Sequence, residues 1–224
     1  MRHALVIFAT LAFTALPGFA QARKSAAPPD ITGVYKSISS KTVLPGGLKN
    51  SGTLADLPLT PAASQQMKTV NLNEDPAKVC QPLGPFRMMA RESTKIQILP
   101  VPGVVAILFE NLSHGLIRTV YTERGHPAKQ SPLWMGDSIG KWEGDTLVID
   151  TNNFSDATWL NDAGAQHSNA LHLMERVRPI MNGRYLEYKV TADDAKALTK
   201  PYTYIRYYEK LNSEIGEDIC EEQE

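Results

Sequence analysis

Ser138-Ile139-Gly140-Lys141-Trp142-Glu143-Gly144-Asp145-Thr146-Leu147-Val148-Ile149-Asp150-Thr151 is the stretch that decides the fold. Glu143-Gly144-Asp145 has the chemistry of a tight turn, and the flanking segments 138–142 and 146–151 read as strands, so this stretch predicts a hairpin. The same signal recurs in both directions. Strands are predicted near 94–99, 103–111, 116–122, 170–178, 184–191, 202–210 and 214–220, with Ile31-Thr32-Gly33-Val34-Tyr35 as a short first strand. Pro100, Pro102 and Gly103 punctuate one pair, and Asn182-Gly183 another. About ten strands in succession cannot hide their edges as a flat sheet, so the reading is a mainly β chain closed as an antiparallel up-and-down barrel of about 8–10 strands. A two-sheet sandwich is the competing arrangement. A barrel of this size can hold one small ligand in its interior.

The segment ahead of the barrel has a different character. Arg2-His3, the apolar stretch from Ala4 to Leu16 and the small-x-small site Ala20-Gln21-Ala22 predict a cleavable signal peptide over residues 1–22, and hence a secreted or periplasmic product. Residues 23–30 have no apolar period and read as a flexible leader, which leaves 31–224 as one domain. Thr60-Pro61 predicts the start of a short helix running to about Val70, and Asn71 to Pro85, with three prolines, reads as a loop. The apolar stretch falls well short of the roughly 20 residues of a spanning helix, so no membrane span is predicted.

Charge and cysteine content narrow the partners. The net charge is −1, with both signs mixed along the chain, which gives no footprint for nucleic acid or anionic lipid and favours a small, mainly apolar molecule. The two cysteines, Cys80 and Cys220, are most simply paired as a disulfide in an oxidising compartment.

Polar residues in apolar settings supply the candidate chemistry. Alternation along 170–178 puts Glu175 on the face of Leu171, Leu173 and Val177, where a carboxylate needs a cation or donors and tends toward a raised pKa. The structural reading is a buried ion pair to Arg118 or Arg206; the functional one is an acid or second base. The long connection 152–168 carries Trp159, Asp162 and His167 and should fold over one barrel mouth, with Asp162 orienting His167 for proton transfer. Against that stands the ordinary use of Asp and His to satisfy loop backbone. His114, His126, Arg118 and Trp159 complete a predicted substrate-binding set. The histidines match zinc or iron ligands in type, but their spacing fits no short signature, so neither a metal nor another cofactor is predicted. Gly136-Asp137-Ser138-Ile139-Gly140 satisfies the Gly-x-Ser-x-Gly pattern, yet strand rather than helix follows it, so Gly136 and Gly140 read as close-packing or bend positions.

The run from Trp134 to Thr151, with Thr158-Trp159-Leu160, His167-Ser168 and Glu175-Arg176, resembles a widespread family of exported bacterial proteins of unassigned function. The resemblance extends over about 55–224, from Pro58-Leu59-Thr60-Pro61 to Ile219-Cys220-Glu221-Glu222, and implies the compartment without implying a catalytic residue. Gly33-Val34-Tyr35 is similar to the Gly-x-Trp entry of lipocalin-type barrels, with Tyr in the Trp place. The fold expected is thus a lipocalin- or calycin-like barrel with one short N-terminal helix. The function expected is a cofactor-independent acid–base enzyme, an isomerase, dehydratase, lyase or hydrolase, with His167, Asp162 and Glu175 catalytic. The alternative is a lipocalin-like carrier in which the same groups only orient the ligand, and an interaction protein using the outer face is a third reading.

Overall fold

The computed structural model describes residues 27–110 and 116–216. The predicted signal peptide, His114, Cys220 and the end of the last predicted strand lie outside the described residues, and 214–216 form no strand.

The described strands are β1 (Gly33–Ser37), β2 (Lys95–Val101), β3 (Val104–Glu110), β4 (Ile117–Tyr121), β5 (Asp137–Glu143), β6 (Thr146–Asn152), β7 (His172–Ile180), β8 (Tyr185–Asp193) and β9 (Tyr202–Leu211). They follow one another around a closed barrel in sequence order, as alternation predicts. One seam departs from the antiparallel expectation: β4 and β5 run parallel, joined through Val120↔Ser138 and Tyr121↔Ile139. Parity requires it. A ring whose neighbours are all antiparallel needs an even number of strands, whereas these nine close with β1 antiparallel to β9. The long connection 122–136 carries the chain back along the barrel so that β5 can start in the direction of β4.

Among the described residues two α-helices accompany the barrel. The predicted one is α1 (Pro61–Thr69): Thr60 Oγ1 accepts from the Ala63 amide at 3.2 Å, and Pro61 occupies the first turn, where no donor is needed. The second, α2 (Pro85–Ala90), falls where the sequence reads as loop. Every one of its residues is buried, so it shows no amphipathic period, and at six residues it is too short to display one.

α2 corrects the expectation of a hollow barrel. Phe86, Met88 and Met89 belong to the same apolar cluster as Ile96, Ile107 and Leu173 from the barrel wall. Tyr204 and Tyr208 of β9 donate to the Phe86 and Met89 carbonyls at 2.6 and 3.0 Å, and Arg206 Nε donates to Ala90 O at 2.9 Å. The carbonyls a short helix leaves unpaired are thereby satisfied inside the apolar core. Tyr35, Tyr188 and Phe109, each at most 1% exposed, fill further interior space.

Candidate functional site

Glu175 lies inside the barrel, fully buried, as its place among apolar neighbours predicts. Its partner is Arg118, not Arg206. Arg118 Nη1 donates to Glu175 Oε1 at 2.9 Å, Nη2 bonds Oε2, and Tyr188 Oη donates to Oε1 at 2.8 Å. The guanidinium also reaches Ser138 Oγ from Nε and Thr151 Oγ1 from Nη2, at 3.2 and 2.8 Å. Burial opposes the Arg118 charge, but the facing Glu175 carboxylate outweighs it and raises the Arg118 pKa; burial and then Glu175 push the Tyr188 hydroxyl well above its usual range. The cluster is therefore a neutralised ion pair in which every guanidinium nitrogen donates at least once. Among the described residues no buried side-chain nitrogen or oxygen lacks a partner.

The predicted pairing of Asp162 with His167 is not the one made. Asp162 is taken by α2: Arg87 Nε donates to its Oδ1 at 2.6 Å, Arg91 stands 3.5 Å from Oδ2, and the same Arg87 binds the buried Asp75 through both terminal nitrogens. Burial would raise the Asp75 pKa, yet Arg87 and the Ala77 amide lower it overall. His167 is buried, with Nδ1 2.8 Å from Ser168 O and Nε2 2.6 Å from Thr158 Oγ1. A carbonyl can only accept, so Nδ1 carries the proton and Nε2 accepts from the threonine hydroxyl. Burial holds the His167 pKa below its ordinary value. Asp162, His167 and Glu175 share no hydrogen-bond partner, and each has a local structural task.

The remaining predicted residues divide similarly. Trp159 is 5% exposed beneath its own loop, with the Arg87 guanidinium 6.0 Å from its ring. His126 lies in the connection between β4 and β5, on the outside of the wall: Nδ1 is 2.7 Å from Asp137 Oδ1, and Nε2 is 3.3 Å from Asp150 Oδ1. His172 Nε2 reaches that same Asp150 oxygen at 2.8 Å. Arg124 binds Asp137 in a fork at 3.2 and 2.5 Å while stacking 3.6 Å over Tyr121. Burial alone would raise the Asp137 pKa, but Arg124 and His126 lower it overall. Among the described residues no group of three His, Cys, Asp or Glu side chains is placed to hold a metal ion.

The parallel seam opens the wall of the barrel. β4 and β5 share two residue pairs, whereas β5 and β6 share seven, so the wall parts beside the seam. A cleft of about 390 Å³ opens there, within the range of small-molecule sites. Leu116, Ile117, Leu133, Trp134 and Met135 give it apolar walls, and Arg118 and Ser138 lie at its inner limit. Ile117 and Leu133 stay 57% and 36% exposed at its rim. Gly136 sets the bend into β5 at φ 68°, where an added Cβ would lie 2.7 Å from both Phe154 and Thr151. A Cβ on Gly140 would lie 2.8 Å from Val120 across the seam. Of the cleft residues, the sequence reading picked Arg118 alone. The missed signal is Leu133-Trp134-Met135, an apolar triplet in a long connection.

No protein-family model matches the chain, and no curated protein matches it. The solved structures to which it is similar include a chain described as "REP1-NXSQ fatty acid transporter", aligned over 82% of this chain and 98% of that one with a TM-score of 0.42 and 7% identity. A likeness that distant adds nothing to the barrel already described.

Proposed function

We propose that this protein binds a small, mainly apolar, uncharged molecule in the seam cleft and performs no chemistry with its interior acid. The carrying observation is the make-up of the cleft's lining: Leu116, Ile117, Leu133, Trp134 and Met135 make much of it apolar, while both of its cations are already paired, Arg118 with Glu175 and Arg124 with Asp137. An acidic ligand would find no free cation there. An apolar body gains about 25 cal/mol for each Å² of apolar surface it removes from water, and Ile117, Leu133 and Trp134 supply that surface. Asp162, His167 and Glu175 are held by separate structural partners, which leaves no assembled acid–base pair among them.

The proposal includes export and a Cys80–Cys220 disulfide, which the signal-like segment 1–22 and the even cysteine count support. It also includes membership of the exported family that the Trp134–Thr151 run resembles.

N-phenyl-1-naphthylamine, an uncharged fluorescent probe, tests the binding. The folded protein should enhance its fluorescence saturably. Ile117→Lys changes an exposed rim position and should weaken the probe about tenfold or more, since a charge would have to be desolvated on binding, while leaving the unfolding transition in place. Absence of saturable binding, or full affinity in the Ile117→Lys protein, would reject the seam as the site.

A further inference from the structure

The outer wall of the barrel has an order of its own. Registers across β5 to β8 align outward-facing side chains in rows. One row runs Lys141, Val148, Arg176, Lys189, because Lys141 pairs with Val148, Val148 with Arg176, and Arg176 with Lys189. The next row toward the barrel end holds Glu143, Thr146, Arg178 and Glu187, and the row on the other side holds Ile139, Asp150 and Met174.

Arg176 and Lys189 face each other directly. Like charges in that relation destabilise a sheet unless something offsets them. Glu143 accepts from Arg176 at 3.0 Å and also pairs with Lys141 at 3.0 Å, while Glu187 takes Arg178 at 2.8 Å. Lys189 has no carboxylate within ion-pairing distance among the described residues. Four cations thus share two carboxylates on this patch, in a chain whose net charge is −1.

Beside the patch lies the larger opening in the wall. A cleft of about 750 Å³ is floored by Ile139, Val148 and Met174, bordered by Lys141 and Arg176, and walled by Thr122–Gly125. A second hollow of about 270 Å³, lined by Arg176, Arg178 and Lys189 with Thr146 and Glu187, adjoins it through Arg176. Two carboxylates other than Glu143 border the larger cleft. Asp150 is held by His126 and His172, and Glu123 lies against Gly103, where an added Cβ would stand 3.1 Å from its Oε2.

We infer that this surface is a second ligand site, specific for an amphiphilic organic anion, separate from the seam cleft and independent of what that cleft binds. The apolar body rests on Ile139, Val148 and Met174, and the acidic head sits over Arg176 and Lys189, where it relieves the repulsion between them. Lys189 supplies the charge that is not already paired. The contact is exposed, so affinity is moderate and falls with salt.

8-Anilinonaphthalene-1-sulfonate is the probe, titrated against the folded full chain beside the uncharged naphthylamine. The sulfonate should bind saturably, and Lys189→Glu, which breaks no ion pair, should weaken it about tenfold through reversal of one charge in contact with the head group. Arg176→Glu/Lys189→Glu should abolish the binding, with naphthylamine affinity unchanged in both variants. Raising salt to about 1 M, where the screening length is roughly 3 Å, should weaken the sulfonate and not the naphthylamine. The inference is overturned if the sulfonate fails to bind, if Lys189→Glu leaves its affinity intact, or if Ile117→Lys removes it, which would place the anion in the seam. Loss of naphthylamine binding alone would sink the seam reading and leave this one standing.

Discussion

The interior of the barrel and its wall use similar residues to opposite ends. Inside, Arg118 and Glu175 face each other in apolar surroundings, and Ser138, Thr151 and Tyr188 complete their hydrogen bonds. Outside, Arg176 and Glu143 form a comparable pair at the surface, 44% and 42% exposed, beside a cleft and a lysine with no carboxylate partner among the described residues. The comparison teaches where to look for function. A polar group that is buried and satisfied is a structural commitment, whereas recognition needs surface left uncovered, which here lies along the seam and the outer wall.

The largest effect should come from breaking the interior pair. Arg118→Met leaves Glu175 as an uncompensated buried charge and should cost about 3–5 kcal/mol in urea unfolding, whereas Arg118→Met/Glu175→Leu should recover most of that loss. A single variant costing less than about 1 kcal/mol would show that the interior is wetter than its packing indicates.

A smaller effect tests the loop that covers His167. Its pKa is depressed by burial, against the opposing pull of the Ser168 carbonyl and of Asp194 and Asp156. The unfolded chain therefore takes up a proton at higher pH than the folded one. Stability from this residue is complete above the unfolded value near 6.5 and declines as pH falls from there toward the folded value, by at most about 1.4 kcal/mol per pH unit. His167→Gln should remove that slope below about pH 6.5, whatever it does to stability at neutral pH. An unchanged slope would mean that His167 already titrates freely, and the loop would rejoin the accessible part of the molecule.

Much of the barrel was legible because alternation and turns are local. The hairpin 138–151 appears as β5 and β6, and the closing Asn182-Gly183 turn precedes β8. Glu175 was legible as inward for the same reason. What a strand cannot state is who stands opposite: the choice of Arg118 over Arg206 depends on ring closure, and Arg206 proves to hold Ala90 O and the Ser51 carbonyl. The parallel seam follows from a strand count that the predicted strand at 214–220 obscured. α2 was hidden because Pro85-Phe86-Arg87-Met88-Met89-Ala90 is too short and too uniformly buried to show a period. The partners of Asp162 and His167 were hidden for a related reason: a tryptophan and a histidine in a long loop look alike whether they line a pocket or pack beneath the loop.

The three tryptophans divide the molecule along this line. Trp134 walls the seam cleft, Trp142 packs against the barrel core, and Trp159 lies under the 152–168 connection. Indole N–H signals in a ¹⁵N correlation spectrum, assigned through single Trp→Phe variants, can be followed as the uncharged naphthylamine is added. The account predicts that the Trp134 signal moves with the binding isotherm while those of Trp142 and Trp159 stay in place. A Trp134 signal that holds still while Trp142 or Trp159 shifts would put the ligand in the barrel interior or beneath the loop, and would contradict it.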